Sequence, residues 1–269
     1  MLLIVFTISG FSQEEESFLF PNENIYIKNK KAGTPVDSSI KKPIQILLEN
    51  EELLVIKNYF HLDEFWIAVI PHQEMTSASY QNFQFSRHVG HNQVKINFKK
   101  EILLYPISAS LITYIQNNNT VPKDQTLIKS SDLVISFDAV QSATETFKFN
   151  PLRGAFGAYA GVYRVMSEIT KLRSYSKDKQ DSRSDYLLDF NKAELKSLLF
   201  KGLRLSESNW IGYYHPLLRS CTSESQNLII DSLREERQEA AQILKYTFVF
   251  PNTHQEFMTA LGVEKKAQE

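Results

Sequence analysis

The stretch His91-Asn-Gln-Val-Lys-Ile-Asn-Phe98 alternates polar and apolar side chains along its length. In an extended chain, successive side chains point to opposite faces, so every second residue shares a face. One face consists of Val94, Ile96 and Phe98, and the other of Gln93, Lys95 and Asn97. The pattern predicts a β-strand with one buried face.

Short β-branched or aromatic segments on both sides of this strand predict further strands. They are Glu52–Phe60, Glu64–Ile70, Ile102–Tyr105 and Asp132–Phe137. Clusters of Asn, Pro, Ser or Lys bound these segments, as expected where strands end in turns. The region from Ile25 to about Phe149 is therefore predicted to be rich in sheet.

Beyond Phe149, apolar residues recur at intervals of three and four, which predicts helices. The predicted helices are Tyr159–Ser174, Lys192–Leu205, a long helix that reaches Leu244 and a closing helix at Pro251–Val263, with a polar loop at Ser174–Asp185. Ser223 and Gln226 have capping-box spacing at the start of the long helix. The chain is therefore predicted to have an α+β fold, in which an antiparallel sheet packs against helices.

Composition limits the classes of function. The 269 residues include 30 Lys and Arg against 31 Asp and Glu, and 42% are hydrophobic. This apolar fraction supports a folded core. The near-neutral net charge argues against a protein whose main function is to bind nucleic-acid phosphates. One Cys can form neither an internal disulfide nor a Cys-based zinc cluster.

The N-terminus predicts export. Met1–Phe11 is an apolar run too short to cross a bilayer, which takes roughly 20 residues, but it has the length of a signal-peptide core. We predict a signal peptide at residues 1–13, followed by one periplasmic domain at 14–269. The alternative is a buried N-terminal strand. No later segment reaches transmembrane length.

Cys221 lies immediately before the predicted long helix. A thiol at a helix N-terminus is close to unsatisfied backbone N–H groups, which favour the thiolate and lower the thiol pKa. This position predicts a nucleophile. The alternative is that Cys221 is buried and inert, as many lone cysteines are.

A thiol nucleophile requires a base, and His91 stands at the start of the alternating strand. A His at a strand edge can face a Cys at a helix start, so His91 is the predicted base and His88 its local alternative. The two could instead bind a metal, but no partner at ligand spacing supports this, so no metal site is predicted. His215, before Pro216, is interpreted as a loop residue.

The glycines of Arg153-Gly-Ala-Phe-Gly-Ala-Tyr-Ala-Gly161 do not match a P-loop or a dinucleotide-binding fingerprint, and no cofactor is predicted. Glycines next to aromatic residues indicate close backbone approach, either to a neighbouring strand or to a flat ligand or acyl chain. Tight packing and ligand binding both remain open from the residues alone.

Four motifs, taken in order, resemble the periplasmic domain family of bacterial lipoprotein N-acylation proteins. They are Gly90-His91 before a strand, Arg153-Gly-x-Phe-Gly-x-Tyr-x-Gly161-x-Tyr163, Asp185-Tyr-x-Leu-x-Phe190 with Glu194, and Ser220-Cys-Thr222. The resemblance spans roughly His88 to Leu233, and its most specific part is the glycine–tyrosine stretch.

The resemblance implies a permuted papain-like domain of the NlpC/P60 type. It implies a Cys–His thiol acyltransferase or hydrolase in which Cys221 forms a thioester and His91 acts as general base and then general acid. The implied partner is a lipid or lipoprotein at the membrane surface. Residues assigned to substrate binding are Arg153, Gly154, Gly157, Tyr159 and Gly161.

Two alternatives remain at this stage. Ser220 stands where the family usually has Asn, which motivates a non-catalytic envelope binding or scaffolding domain that retains the fold. A third hypothesis is a peptidoglycan amidase, because related thiol folds cleave such bonds.

Overall fold

The computed structural model describes residues 23, 26–27, 34–85, 90–122, 128–140, 150–156, 158–208, 210–242, 257 and 261. The predicted signal peptide (1–13), His88 and Gly157 lie outside these ranges. So does the predicted closing helix, apart from Phe257 and Leu261. The Leu261 N–H donates to the Phe257 carbonyl over 3.1 Å, the spacing of a helical turn.

The strands are β1 (Tyr26–Ile27), β2 (Thr34–Pro35), β3 (Gln45–Glu49), β4 (Leu54–His61), β5 (Glu64–Ile70), β6 (Met75–Gln84), β7 (Gly90–Pro106), β8 (Ile128–Val140), β9 (Ala160–Met166), β10 (Arg183–Leu188) and β11 (Trp210–Ile211). The helices are α1 (Ala109–Asn118), α2 (Pro151–Ala155), α3 (Glu168–Arg173), α4 (Lys177–Asp181), α5 (Lys192–Ser206), α6 (Cys221–Ser232) and α7 (Glu235–Gln242).

Strand β7 organises the main sheet. Its first half pairs with β6 and β8, and its second half pairs with β5 and, more briefly, with β8. The register against β8 shifts between Asn97 and Ile102, so one long strand serves both parts of the sheet. The predicted strand at 91–98 and the one at 102–105 are therefore parts of a single strand.

Five strands close into a small barrel. The ring runs β7–β5–β4–β9–β8 and returns to β7. Its one parallel junction joins β4 to β9 at Phe60 and Met166, and the other junctions are antiparallel. Strands β6 and β10 extend the sheet beyond β7, and β3 pairs with β4.

Helices α5 and α6 cover one face of this sheet. Val94 and Ile96 of β7 share a buried cluster with Leu198 of α5 and Ile229 of α6. The opposite face is also covered, because Gln93 is fully buried and Lys95 pairs with Glu168 of α3. The predicted apolar face is therefore buried, and the polar face is partly buried as well, with Gln93 buried and Lys95 and Asn97 of intermediate exposure. Part of this face is satisfied, since Nε2 of Gln93 donates to Oε1 of Gln81 over 2.7 Å and Lys95 forms its ion pair, whereas Oε1 of Gln93 is buried with no hydrogen-bond partner among the described residues.

Three local predictions are wrong. The predicted helix 159–174 is strand β9 followed by the short helix α3, because residues 160–166 pair along β8 and are buried on both faces, which hides the strand period. The predicted polar loop contains α4 and the start of β10. The predicted long helix begins at the Ser220 cap, not at Ser223, and is interrupted at Leu233, where the backbone is extended.

Gly161 provides a test of packing in the barrel. A Cβ atom at this position would overlap the Phe137 ring, with Cε1 only 2.8 Å away, and Phe137 is buried. We expect Gly161→Ala to lower the free energy of unfolding by about 1–3 kcal/mol because the ring must shift in a packed core. Urea unfolding measures this change.

Gly212→Ala is the matched control. Its added methyl group would meet the far end of the flexible Arg219 side chain, which can move aside. Equal losses of stability in the two variants would contradict the packing argument.

Candidate thiol–imidazole site

Cys221 is the first residue of α6 and is buried. The Ser220 side chain accepts the Ser223 N–H, and the Ser223 hydroxyl in turn receives the Ser220 N–H over 2.8 Å, which makes a capping box. The predicted position of Cys221 at a helix start is therefore confirmed.

The thiol lies against the backbone on both sides of His91. Its Sγ is 4.0 Å from the Gly90 carbonyl oxygen and receives a hydrogen bond from the Asn92 backbone N–H. The Asn92 side chain also binds α6, because its amide donates to the Thr222 hydroxyl over 2.6 Å. These contacts join the start of the helix to the start of β7.

The thiol pKa differs from the sequence-based expectation. Burial raises the pKa of Cys221, although the Asn92 N–H and the Tyr214 hydroxyl oppose this shift. The helix-start position was expected to lower it. Desolvation of a thiolate in a buried site outweighs these stabilising contacts, so the thiol is protonated at neutral pH.

His91 is held through one ring nitrogen. Its Nε2 is 2.9 Å from the Ser136 hydroxyl and 3.5 Å from Oδ1 of Asp138. Ser136 and Asp138 are two residues apart on β8 and so share a face. Among the described residues, these hydrogen-bonding and ion-pair contacts of the ring both involve Nε2.

Asp138 is the centre of a buried charge network. Its Oδ1 accepts hydrogen bonds from the Ser136 hydroxyl and the Lys171 ammonium group, each over 2.7 Å. Its Oδ2 accepts a bond from the Arg164 guanidinium over 3.1 Å. Burial alone would raise the pKa of Asp138, but the charges of Lys171, His91 and Arg164 hold it below its ordinary value.

The same network keeps the imidazole neutral. Burial, followed by the charge of Lys171, lowers the pKa of His91 from 6.5 to about 3, against the opposing effect of Asp138. Burial also lowers the pKa of Lys171. At neutral pH the site therefore combines a protonated thiol with a neutral imidazole, the state in which a His can act as a general base.

The other residues singled out by sequence are more dispersed. Arg153 is exposed on α2, whereas Gly154 packs against Pro216. Tyr159 is buried, and its hydroxyl accepts the Asn150 N–H over 2.8 Å. Gly161 lies under the Phe137 ring. Tight packing thus describes the glycine–tyrosine stretch, and its role in substrate binding stays a prediction.

His215, predicted to be a loop residue, lies outside the helices and main strands and forms an isolated bridge with Arg219 across the turn 216–218. Its Nδ1 accepts the backbone N–H groups of Leu217 and Leu218 over 3.2 and 3.1 Å. Asn97, a polar residue on the same strand as His91, donates to the Ser77 hydroxyl over 3.1 Å.

Sequence reasoning missed Ser136, Asp138 and Lys171. Ser136 had a usable signal, since it lies between the buried apolar residues Ile135 and Phe137 on the predicted strand Asp132–Phe137, whereas Asp138 lies one residue beyond that predicted strand. Lys171 had no such signal, because it lies within the predicted helix Tyr159–Ser174.

Within the described residues, no helix is both long and apolar enough to cross a bilayer. In the same part of the chain, no three His, Cys, Asp or Glu side chains come together as a metal ion would require.

Comparison with known families defines the class of protein as a periplasmic domain associated with lipoprotein modification. The chain belongs to the Lnb N-terminal periplasmic domain family, whose model matches residues 63–247. The matched region includes both His91 and Cys221 and confirms the predicted periplasmic location. No curated protein and no solved structure matches the chain.

The low pKa of His91 predicts a pH dependence of stability. His91 has a pKa of about 3 in the folded chain against an ordinary value of 6.5, so below about pH 6.5 protons bind preferentially to the unfolded chain. We expect the free energy of unfolding to fall as the pH falls from 6.5 towards 3.

Urea titrations across this range, on wild type and His91→Gln, measure the effect. The variant should lose stability less steeply, because its other titratable groups are the same and only the imidazole is removed. Parallel pH profiles would show that His91 is not the group responsible.

Proposed function

We propose that the protein is an exported Cys–His thiol acyltransferase or hydrolase that acts on lipid or lipoprotein acyl groups through a Cys221 thioester. One observation carries the proposal. The buried thiol contacts the backbone on both sides of His91, and Ser136 and Asp138 on the neighbouring strand hold the imidazole Nε2.

A permuted papain-like arrangement is part of this proposal. Cys221 begins a helix, His91 lies near the start of a strand, and the candidate carboxylate Asp138 comes from an adjacent strand of the barrel. Thiol enzymes use this division of roles, in which a base activates the sulfur and a third group orients the base.

The first half-reaction transfers the acyl group to sulfur. His91 Nδ1 takes the thiol proton as Sγ attacks the carbonyl carbon of an ester, and a C–S bond forms. The tetrahedral intermediate then breaks its C–O bond, and the imidazolium returns the proton to the departing alcohol. The Asn92 N–H and the Tyr214 hydroxyl, both hydrogen-bonded to the thiol, are the donors we assign to the oxyanion.

The second half-reaction releases the acyl group. An amine attacks the thioester carbonyl and loses its proton to His91, the C–S bond breaks, and the sulfur recovers the proton. Water in place of the amine gives hydrolysis. Asp138 and Ser136 keep Nε2 engaged throughout, so Nδ1 is the nitrogen that exchanges protons.

Burial of the site favours one other candidate function. Both Cys221 and His91 are buried, and the pKa of the thiol is raised. These features also suit a non-catalytic domain that retains the fold and binds an envelope component. The experiment below separates the two functions.

Purified wild type and the variants Cys221→Ala, His91→Ala and Asp138→Asn are incubated with phospholipid vesicles and a lipopeptide that has a free N-terminal amine. Mass spectrometry scores the acylated peptide and a hydroxylamine-sensitive acyl adduct on the intact protein. We expect Cys221→Ala to form no adduct, and His91→Ala to lower the rate by at least about 100-fold.

Asp138→Asn is compared with Asp132→Asn, a matched control. Both residues are buried carboxylates on β8, but Asp132 accepts the backbone N–H of Glu168 rather than facing His91. Loss of activity is expected for Asp138→Asn alone. If wild type and Cys221→Ala behave alike while both remain folded, the thiol mechanism is wrong and the binding function is favoured.

A further inference from the structure

Three large apolar side chains stand out from the rest of the described surface. Leu152, Phe156 and Leu218 are 73%, 84% and 71% exposed, whereas no other large apolar residue in the described part of the chain exceeds 47%. Leu217, next to Leu218, is also exposed. Monomeric soluble proteins rarely gather such residues without a binding partner.

These four residues come from two neighbouring segments and are together called the apolar rim. Leu152 and Phe156 lie on α2 and its C-terminal cap, and Leu217 and Leu218 lie in the turn that precedes α6. The two segments are in contact, because a Cβ atom on Gly154 would lie 3.1 Å from Cγ of Pro216.

Ordered polar contacts hold the rim in place. The His215 side chain accepts the N–H groups of Leu217 and Leu218, and the backbones of His215 and Arg219 exchange two hydrogen bonds of 3.0 Å. The Asn150 side chain caps α2. The leucines and the phenylalanine are therefore presented outwards by segments whose backbone polar groups are largely satisfied, as insertion into lipid requires.

The charge of the two segments indicates which kind of partner binds the apolar rim. Residues 150–156 and 212–222 contain Arg153, His215 and Arg219 but no Asp or Glu. Arg153 is exposed between Leu152 and Phe156, whereas Arg219 already pairs with Glu224. An apolar surface that also carries an exposed cationic side chain suits an anionic phospholipid surface, where apolar groups enter the acyl region and the guanidinium binds phosphate.

We propose that the apolar rim is a membrane-docking surface that holds the start of α6 against anionic phospholipids. Leu218 is three residues before Cys221, so the docked surface lies next to the helix end that carries the thiol. Docking itself is independent of catalysis. Its suggested purpose is to deliver an acyl donor to Cys221, and that purpose rests on the proposed function.

Vesicle co-sedimentation tests the surface. Wild type is mixed with vesicles of phosphatidylethanolamine and phosphatidylglycerol, and separately with vesicles of phosphatidylcholine alone. We expect preferential binding to the anionic vesicles. The double variant Phe156→Glu/Leu218→Glu should bind them at least about 10-fold more weakly, because two inserted apolar groups are replaced by anions. Arg153→Ala should lose the preference for anionic lipid.

Leu187→Glu is the matched control, since Leu187 is an exposed leucine on β10 outside the rim, and it should bind as wild type does. Binding of the double variant at wild-type strength, or no binding of wild type to either vesicle, would overturn the proposal. Sedimentation velocity without lipid adds a further outcome: a dimer that the double variant abolishes, with no vesicle binding, would identify a second copy of the chain as the occupant instead.

The failure of docking and the failure of the thiol mechanism remain distinguishable. Cys221→Ala leaves the rim intact and should bind vesicles as wild type does, whatever its activity. The double variant leaves the thiol site intact and should retain the wild-type rate of Cys221 alkylation in the absence of vesicles. Circular dichroism confirms that each variant is folded.

Discussion

The buried carboxylate of Asp138 is stable only because positive groups surround it, and the arrangement of the site depends on these charge contacts. Removing a carboxylate from water costs several kcal/mol unless charges and hydrogen bonds replace the lost hydration. Lys171 of α3 and Arg164 of β9 supply the charges, and Ser136 supplies a hydroxyl. Loss of one partner would leave uncompensated charge, so α3, β8 and β9 are fixed relative to one another, and the contact with His91 adds β7.

The balance of charge in this network sets the resting chemistry. The Asp138 carboxylate faces two cations, Lys171 and Arg164. Their excess positive charge disfavours a further positive charge on His91 and so lowers the pKa of its imidazole. A resting thiolate–imidazolium pair is therefore disfavoured, so the proposed mechanism requires His91 to act as a general base. A buried, protonated thiol also reacts slowly with oxidants, which suits a lone cysteine in the periplasm.

The sequence predicts those parts of the structure that depend on local signals. Strand β5 has the predicted bounds, and α5 closely follows its predicted range, because one has turn residues at its ends and the other a clear apolar face. His91 and Cys221 were found from their positions at the starts of elements. Asp138 was not assigned, because its place beside His91 depends on the pairing of Gln93 with Ser136, a non-local register that no local pattern reveals. Residues 160–166 were misread because a strand buried on both faces shows no alternation.

The glycine–tyrosine stretch is the most specific motif in the sequence, and it is connected to the thiol by a series of packing contacts. Gly161 leaves room for the Phe137 ring, which stacks on Tyr214 with ring centres 6.0 Å apart. The Tyr214 hydroxyl is hydrogen-bonded to Cys221. A side chain at position 161 would displace the ring that supports Tyr214. Such a motif can be essential to the site without touching a substrate. The missing Cβ atom of Gly161 lets the Phe137 ring pack where it supports Tyr214, and the position of Tyr214 determines where its hydroxyl contacts the sulfur of Cys221.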